Sequence, residues 1–403
     1  TAMSTQSTLA SVEVRIDWDD TVSRHHNRDH FEKLNFWRDI LPGALSITLP
    51  DSHGDWLSES FAPGELVPPW SESNIHRINR DALKLERKNG PPIELHAGRH
   101  YPQYIAAGTA GIFAGNFKPL RIVEMDAESV TVDLNHPLAR SPLTISARIN
   151  EHLGPASEHG GRCNDIIMDT LAHGVGLETL YPSATTCYLP TNDLERMDTR
   201  ADEQFYENAR LIQHIDTTAI EQISAIYRRD MEPGMQILDF MASWDSHLPE
   251  EIEQLTVTGL GMNAEELAQN PRLHSRVVHD VNTVSTLPFD DNRFDVIICT
   301  VSVEYLVKPV DVCRELGRIL KPGGAAIMTF SDRWFPTKVI TLWTELHPFE
   351  RLALVQEYFR AAGNFDSLET ETVHGLPRPQ DDKYAQQRAF SDPVFAVRAV
   401  AAG

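Results

Sequence analysis

Five short stretches carry residues whose type and spacing could do chemistry. In "GMQILDFMASWDSHLP" (234–249), Asp239 closes an apolar strand-like run, and a turn and a helix are predicted to follow. A helix that starts there offers unpaired backbone N–H groups to an anion. Met241, Ser243 and Asp245 stand at alternate positions where glycines would let the backbone approach a ligand closely. The Ser243 hydroxyl is then a candidate to hold the ligand instead. Gly261 ends the run "TVTGLG", Met262 and Asn263 follow it, and Asn263 can donate and accept but carries no charge. Asp280, Val281 and Asn282 follow "RVVH", and Thr300 ends "FDVIICT". Upstream, Tyr206, Arg210 and His214 fall at i, i+4 and i+8, which predicts one polar helix face toward a cleft.

These residues need a scaffold that brings the ends of several strands together. From Gln204 the pattern becomes helical, with Leu211, Ile215, Ala219, Ile223 and Ile226 at helical spacing up to the Pro233-Gly234 turn. Beyond it strand-like and helix-like segments alternate: "MQILDF", "TVTGLG", "NAEELAQN", "RVVHDV", "FDVIICTVS", "PVDVCRELGRIL", "AAIMTF". That rhythm predicts an α/β fold, a Rossmann-like, doubly wound and mostly parallel sheet. Ligands in such sheets bind outside the carboxyl ends of the strands, where strand order reverses.

Residues 10–150 read differently. "VEVRIDW", "ALSITLP", "PLRIVEM", "SVTVDLN" and "LTISARI" predict a β-rich domain. "ESVTVDLNHPLARSPLTISARI" predicts two strands around a turn centred on Asn135-His136-Pro137. Residues 151–203 are polar, with Gly and Pro, and predict a linker with some helix. The third segment is 204–403.

The chain has 403 residues, 36 basic and 58 acidic, for a formal charge of −22. Such a surface repels nucleic acid and anionic membranes, so neither is expected as a partner. No apolar run reaches the roughly 18–20 residues of a spanning helix, and the first residues lack a secretory pattern. Four cysteines without a CxxC pair read as reduced thiols, which suits the cytoplasm. Scattered histidines read as surface residues, so no metal is expected.

Residues 204–400 resemble a class I S-adenosylmethionine-dependent methyltransferase of the type 11 kind. "ILDF", "HDVNTVSTLPFDDNRFDVIICTVSVEYL" and "VCRELGRILKPGGAAIMTFSDR" carry the resemblance, in the family's order. It implies S-adenosyl-L-methionine as cofactor and methyl transfer to a small-molecule acceptor. It places Asp239 near the cofactor's amino acid portion, Asp280 at the adenine N6, and Val281 and Asn282 at the ring nitrogens. Tyr206, Arg210, Met241, Ser243, Gly261, Met262, Asn263 and Thr300 complete the expected cofactor site. Two departures stand out: the glycine-rich loop has lost its glycines, and Gly261 replaces the acidic residue that grips the ribose. His214, Tyr305 and Arg333 are the expected catalytic residues. Glu304 and His347 are further candidates for a base. Arg333, Trp334 and Phe335 in "SDRWFPTKVITLW" are expected to cap the pocket, and a thiol or sulfide acceptor suits the lack of a strong base.

"RIVEMDAESVTVDLNHPLARSPLTISARI" resembles the end of FKBP-type prolyl isomerases of the bacterial chaperone-like subtype, through Asp133, Asn135, His136, Pro137, Leu138 and Ala139. The early strands that would supply a proline pocket are not recognisable. The resemblance implies a docking, dimerising or cleft-covering domain, with a homodimer allowed. A folding or binding helper with an inert methyltransferase-like half is the alternative function.

Overall fold

The computed structural model describes residues 8–87, 92–157, 160–181, 188–189 and 194–403. The chain divides into two compact units. One comprises Thr1–Val22, Lys33–Thr191 and Leu346–Ala353, the other Ser23–Glu32, Asn192–Glu345 and Leu354–Gly403. Among the described residues no helix is long and apolar enough to cross a membrane. None of their His, Cys, Asp and Glu side chains form a group of three or more that could hold a metal ion.

The first unit is built from antiparallel strands. Thr8–Asp19 pairs with Leu143–Pro155, which also pairs with Leu57–Phe61. A four-stranded sheet runs in the order Ile75–Asn79, Ser129–Asp133, Pro119–Met125, His100–Pro102. Ile78, Leu120, Ile122, Val130 and Val132 fill its core.

One sequence expectation fails in this unit. The strand expected over "ALSITLP" is a helical turn, Leu45–Thr48, followed by a 3-10 turn, Leu49–Asp51. Here the Ala44 N–H donates to the Glu59 carboxylate at 2.7 Å, and the Thr48 hydroxyl donates to the Ala44 carbonyl at 3.0 Å. Such local bonds override the strand preference of a β-branched run. The two strands expected on either side of Asn135-His136-Pro137 are present, and each pairs with other strands. Ser129–Asp133 pairs with Ile75–Asn79 and Pro119–Met125, while Leu143–Pro155 pairs elsewhere. Residues 151–191 belong to this unit, and Ile166–Leu171 is helical, with Asp165 accepting the Met168 N–H at 3.0 Å.

The second unit has the alternation expected of a wound sheet. Its strands are β1 (Gln236–Phe240), β2 (Thr256–Gly261), β3 (Ser275–Val278), β4 (Phe294–Thr300), β5 (Leu320–Phe330), β6 (Phe365–His374) and β7 (Val394–Ala401). They lie in the order β3-β2-β1-β4-β5-β7-β6. The first five are parallel to one another, and β7 runs antiparallel to both β5 and β6. Residues 23–29 pair in parallel with β6. Ile237, Leu238 and Phe240 are fully buried, as a central strand covered on both faces requires. The "KPGG" glycines bend β5 near its start: Gly323 has φ +78°, and a Cβ on Gly324 would lie 2.7 Å from the Asp295 carbonyl oxygen.

Helix α1 (Thr217–Arg228) packs Ala219, Ile223, Ile226 and Tyr227 into the core below β1. Helices α2 (Ala264–Gln269) and α3 (Pro309–Ile319) connect β2 to β3 and β4 to β5. Strand order reverses between β1 and β4, so the fold directs a ligand to the loops after those two strands.

Candidate active site

A cavity lies at this switch point, lined by the loops after β1, β2, β3 and β4 and by residues 202–215. Its lining includes every expected cofactor residue: Tyr206, Arg210, Asp239, Met241, Ser243, Gly261, Met262, Asn263, Asp280, Val281, Asn282 and Thr300. His214 and Tyr305 line it too. Arg333 does not. Its guanidinium lies over the Tyr384 ring at 4.5 Å and 3.7 Å from the Asp392 carboxylate. Of the expected cap only Phe335 reaches the cavity, and neither Glu304 nor His347 is among the lining residues.

The loop after β1 keeps a glycine-like path without glycine. Met241 has φ +58°, a left-handed conformation that costs a side-chain-bearing residue about 1–2 kcal/mol. The Ala242 N–H donates to the Leu260 carbonyl at 2.7 Å and ties the loop to the end of β2. This close crossing explains Gly261. A Cβ there would sit 2.2 Å from the Ala242 carbonyl oxygen, so no acidic side chain fits. A further strained residue, Val301 at φ +43°, turns the chain at the tip of β4.

Asp239 is 2 % exposed, and its Oδ2 has no hydrogen-bond partner among the described residues. Burial pushes its carboxyl up to about 8, against the Ser246 hydroxyl, which lowers it, and with the Asp245 charge, which raises it further. Asp245 itself is held well below the usual carboxylate range by His247, whose Nδ1 lies 3.2 Å from its Oδ2. Gln213 also donates to Asp245, at 2.6 Å.

Tyr206, Arg210 and His214 do not share a helix. Helical structure covers Asp202–Phe205, and α1 begins only after its cap Asp216, which accepts the Ala219 N–H at 3.0 Å. Tertiary partners take the intervening backbone groups: Glu266 accepts the Arg210 N–H at 2.8 Å, and Asn263 Nδ2 donates to the carbonyls of Tyr206 and Glu207. The segment still delivers all three side chains. Arg210 sits among the rings of Phe205, Tyr206 and Phe335, at 4.6, 5.7 and 5.4 Å. Its Nη2 donates to the Phe205 carbonyl at 2.9 Å, while Nη1 is buried without a partner among the described residues. His214 packs edge-on against Phe335, 5.1 Å between centroids. Burial lowers its pKa, opposed by the Glu266 carboxylate, so the imidazole is neutral at pH 7.

Other expected contacts are committed within the protein. The Asn263 carbonyl caps α2 by accepting the Glu265 and Glu266 N–H groups, and its amide holds residues 206–207. Its side chain is therefore not free for a ribose. Asn282 donates to Asp202 and to the Tyr305 carbonyl and accepts the Val307 N–H. Asp280 accepts from the Asn282 and Thr283 N–H groups and the Thr283 hydroxyl, with lone pairs left over. The Tyr305 hydroxyl accepts the Phe335 N–H at 2.8 Å, and burial holds its pKa well above the usual value, which removes it as a base. The Thr300 hydroxyl is within 2.7 Å of the Tyr227 hydroxyl. Sequence reasoning missed Glu266, His247 and Gln213. The Asp-Ser-His spacing at 245–247 could have signalled His247, but nothing local marked Glu266 or Gln213.

S-adenosylmethionine can be tested against this lining. Its amino acid end carries an ammonium and a carboxylate, and the cavity offers one partnerless carboxylate oxygen, on Asp239, and one partnerless guanidinium nitrogen, on Arg210. A carboxyl and a guanidinium complement that zwitterion, Asp239 giving up its proton to meet the ammonium.

Residues 246–328 match the family described as Methyltransferase domain. The match runs from the loop after β1 into β5. Among solved structures, the chain is similar to an S-adenosylmethionine-dependent methyltransferase from Aquifex aeolicus, with 16 % identity over 50 % of this chain and 97 % of that one, TM-score 0.31. It is similar to the YcgJ protein of Bacillus subtilis, with 13 % identity over 44 % and 97 %, TM-score 0.33. It is also similar to phosphoethanolamine N-methyltransferase 2 of Haemonchus contortus, a structure in complex with S-adenosyl-L-methionine, with 18 % identity over 45 % and 52 %, TM-score 0.32. No curated protein matches the sequence. The family match supports methyl transfer, with S-adenosylmethionine as the cofactor.

Proposed function

We propose that the second unit is an active S-adenosylmethionine-dependent methyltransferase that acts on a small molecule. One observation carries the reading: a single cavity at the switch point holds a buried carboxyl oxygen, Asp239 Oδ2, and a buried guanidinium nitrogen, Arg210 Nη1, each without a hydrogen-bond partner among the described residues. Unpaired buried polar atoms are costly, so their pairing is an expected gain on ligand binding. Degeneration of the site would have no use for them.

When bound, the cofactor supplies an electrophilic methyl group on a sulfonium. Asp239 would hold the cofactor's ammonium and Arg210 its carboxylate, and Asp280 and the backbone of Val281 would hold the adenine edge. Phe335, Phe205, Tyr206 and Tyr305 exclude water, which favours alignment of the acceptor with the methyl group. His214 is the one lining group we assign to proton transfer: its imidazole is neutral and aromatic-packed, so it can hold a proton leaving the acceptor. A small thiol suits this arrangement, because its proton is weakly held and a neutral imidazole is a sufficient base. Isothermal titration of the full chain with S-adenosylhomocysteine tests the reading. Binding in the micromolar range is expected; no heat and no thermal shift at millimolar ligand would end it.

For the first unit we infer an FKBP-like docking role. Its support is the turn at 133–139, where Asn135 donates to Asp133 at 2.8 Å and the Leu138 N–H donates to His136 Nδ1 at 3.1 Å. Absence of any complex with unfolded client chains would remove that role, and turnover of a proline peptide would extend it to isomerisation.

A further inference from the structure

We infer that Glu266, on the first turn of α2, is the carboxylate that receives the ribose hydroxyls of the cofactor. The inference rests on the cofactor reading above and goes one step further, to a residue no pattern in the chain assigns to that task.

A vicinal diol in a buried site is held best by a group that accepts two hydrogen bonds at once, and a carboxylate does this. The end of β2 cannot carry one, because Gly261 faces the Ala242 carbonyl oxygen at 2.2 Å from its would-be Cβ. Asn263, two residues on, spends both ends of its amide on the cap of α2 and on residues 206–207. Five carboxylates line the cavity: Asp202, Asp239, Asp245, Glu266 and Asp280. Four have other work. Asp202 is bound by Arg196, Asn282 and the buried Lys338. Asp245 is bound by His247 and Gln213. Asp280 closes its own turn. Asp239 sits at the β1 tip as one half of the unpartnered pair.

Glu266 remains. It is 8 % exposed and lies between the loop after β1 and the segment that carries Arg210. Its Oε2 accepts the Ser243 hydroxyl at 2.6 Å and its Oε1 accepts the Arg210 N–H at 2.8 Å. Each oxygen has one lone pair still open, so the carboxylate can take two further donors without releasing either bond. No cation pairs with it among the described residues, which leaves its charge for hydroxyl donors. The acidic function absent from the strand end has moved one helical turn along the chain. The same residue then explains why Ser243 is tolerated in the loop: its hydroxyl orients the carboxylate from the opposite side.

The test is calorimetric and needs no turnover. Full-length protein is titrated with S-adenosylhomocysteine and with its 2′-deoxy and 3′-deoxy analogues. The wild type should bind at least one deoxy analogue about tenfold more weakly. Glu266→Gln should bind S-adenosylhomocysteine about tenfold more weakly and lose most of that discrimination. Glu265→Gln, which removes the exposed neighbouring acid of α2 outside the cavity lining, should keep it. A wild type that binds S-adenosylhomocysteine but does not distinguish the analogues within twofold overturns the assignment without any variant. So does a folded Glu266→Gln protein that keeps the full discrimination. A wild type that binds none of the three ligands overturns the cofactor reading itself.

Discussion

The loops after β1 and β3 make an instructive pair. After β3, Asp280, Val281 and Asn282 stand where the methyltransferase pattern wants them. Yet the Asn282 side chain is spent on its surroundings, and Asp280 largely closes its own turn. After β1, Met241, Ser243 and Asp245 stand in place of glycines, and the pattern is lost. Yet this loop holds the left-handed turn, directly after a buried carboxyl oxygen at the tip of β1, on Asp239, that has no partner among the described residues. Ligand contacts are marked by what the protein leaves unsatisfied, more than by which residue types recur.

The comparison can be broken in order of expected effect. Asp239→Asn removes the ionisable carboxyl at the tip of β1 while keeping its shape. S-adenosylhomocysteine affinity by calorimetry should fall roughly 100-fold, the scale of an unpaired buried ligand charge. A fall below threefold would place the amino acid end elsewhere.

Proton linkage gives the next effect. Below about 8 the free protein holds a proton on Asp239, and the docking ammonium must displace it. Affinity should therefore rise up to about tenfold per pH unit toward pH 8 and then level off, with about one proton released, measured in buffers of different ionisation enthalpy. In Asp239→Asn the slope should vanish. The same raised carboxyl sets the sign for stability: its contribution is intact below the unfolded value near 3.8 and is lost as pH rises through about 8. The variant should resist alkaline unfolding better than the wild type.

Arg210→Met keeps the aromatic packing but deletes the unpaired donor. A loss of about tenfold in affinity is expected, from one charge-assisted bond. Asp280→Ala, in the loop that satisfies itself, should weaken binding only a few-fold while lowering the unfolding temperature. A larger binding loss than for Asp239→Asn would reverse the comparison. The smallest effect concerns strain: Met241→Gly should raise stability by up to about 1 kcal/mol in urea unfolding and leave affinity within twofold.

Much of the second unit was legible because its strands are continuous apolar runs with polar tips. Ile237-Leu238 and "VIIC" at 296–299 are buried, and Asp239, Asp280 and Thr300 fall at or just after strand ends as expected. The helix expected over 204–216 was not, although its spacing was helical. Asp216 followed by Thr217 is a cap signal that places the true start, and the residues before it give their backbone groups to Glu266 and Asn263, more than fifty positions away. In the first unit, bonds such as that from Ala44 to Glu59 turned a β-branched run into a helical turn, while the strands on either side of the Asn135 turn formed as expected and their pairing partners were set by the fold. Arg333 drew attention by its place beside aromatic residues, yet Asp392 and Tyr384, both far along the chain, claim it.

Periodicity and strand-end chemistry, which depend on neighbours two to four residues apart, were enough to specify a wound sheet and the loops that meet above it. Which polar atoms in those loops end up spent and which stay open depends on partners brought together only by folding. Glu266 reads locally as one more acid on a helix, and only the packed chain sets it between Ser243 and Arg210, because hydrogen-bond capacity is filled by distance in space.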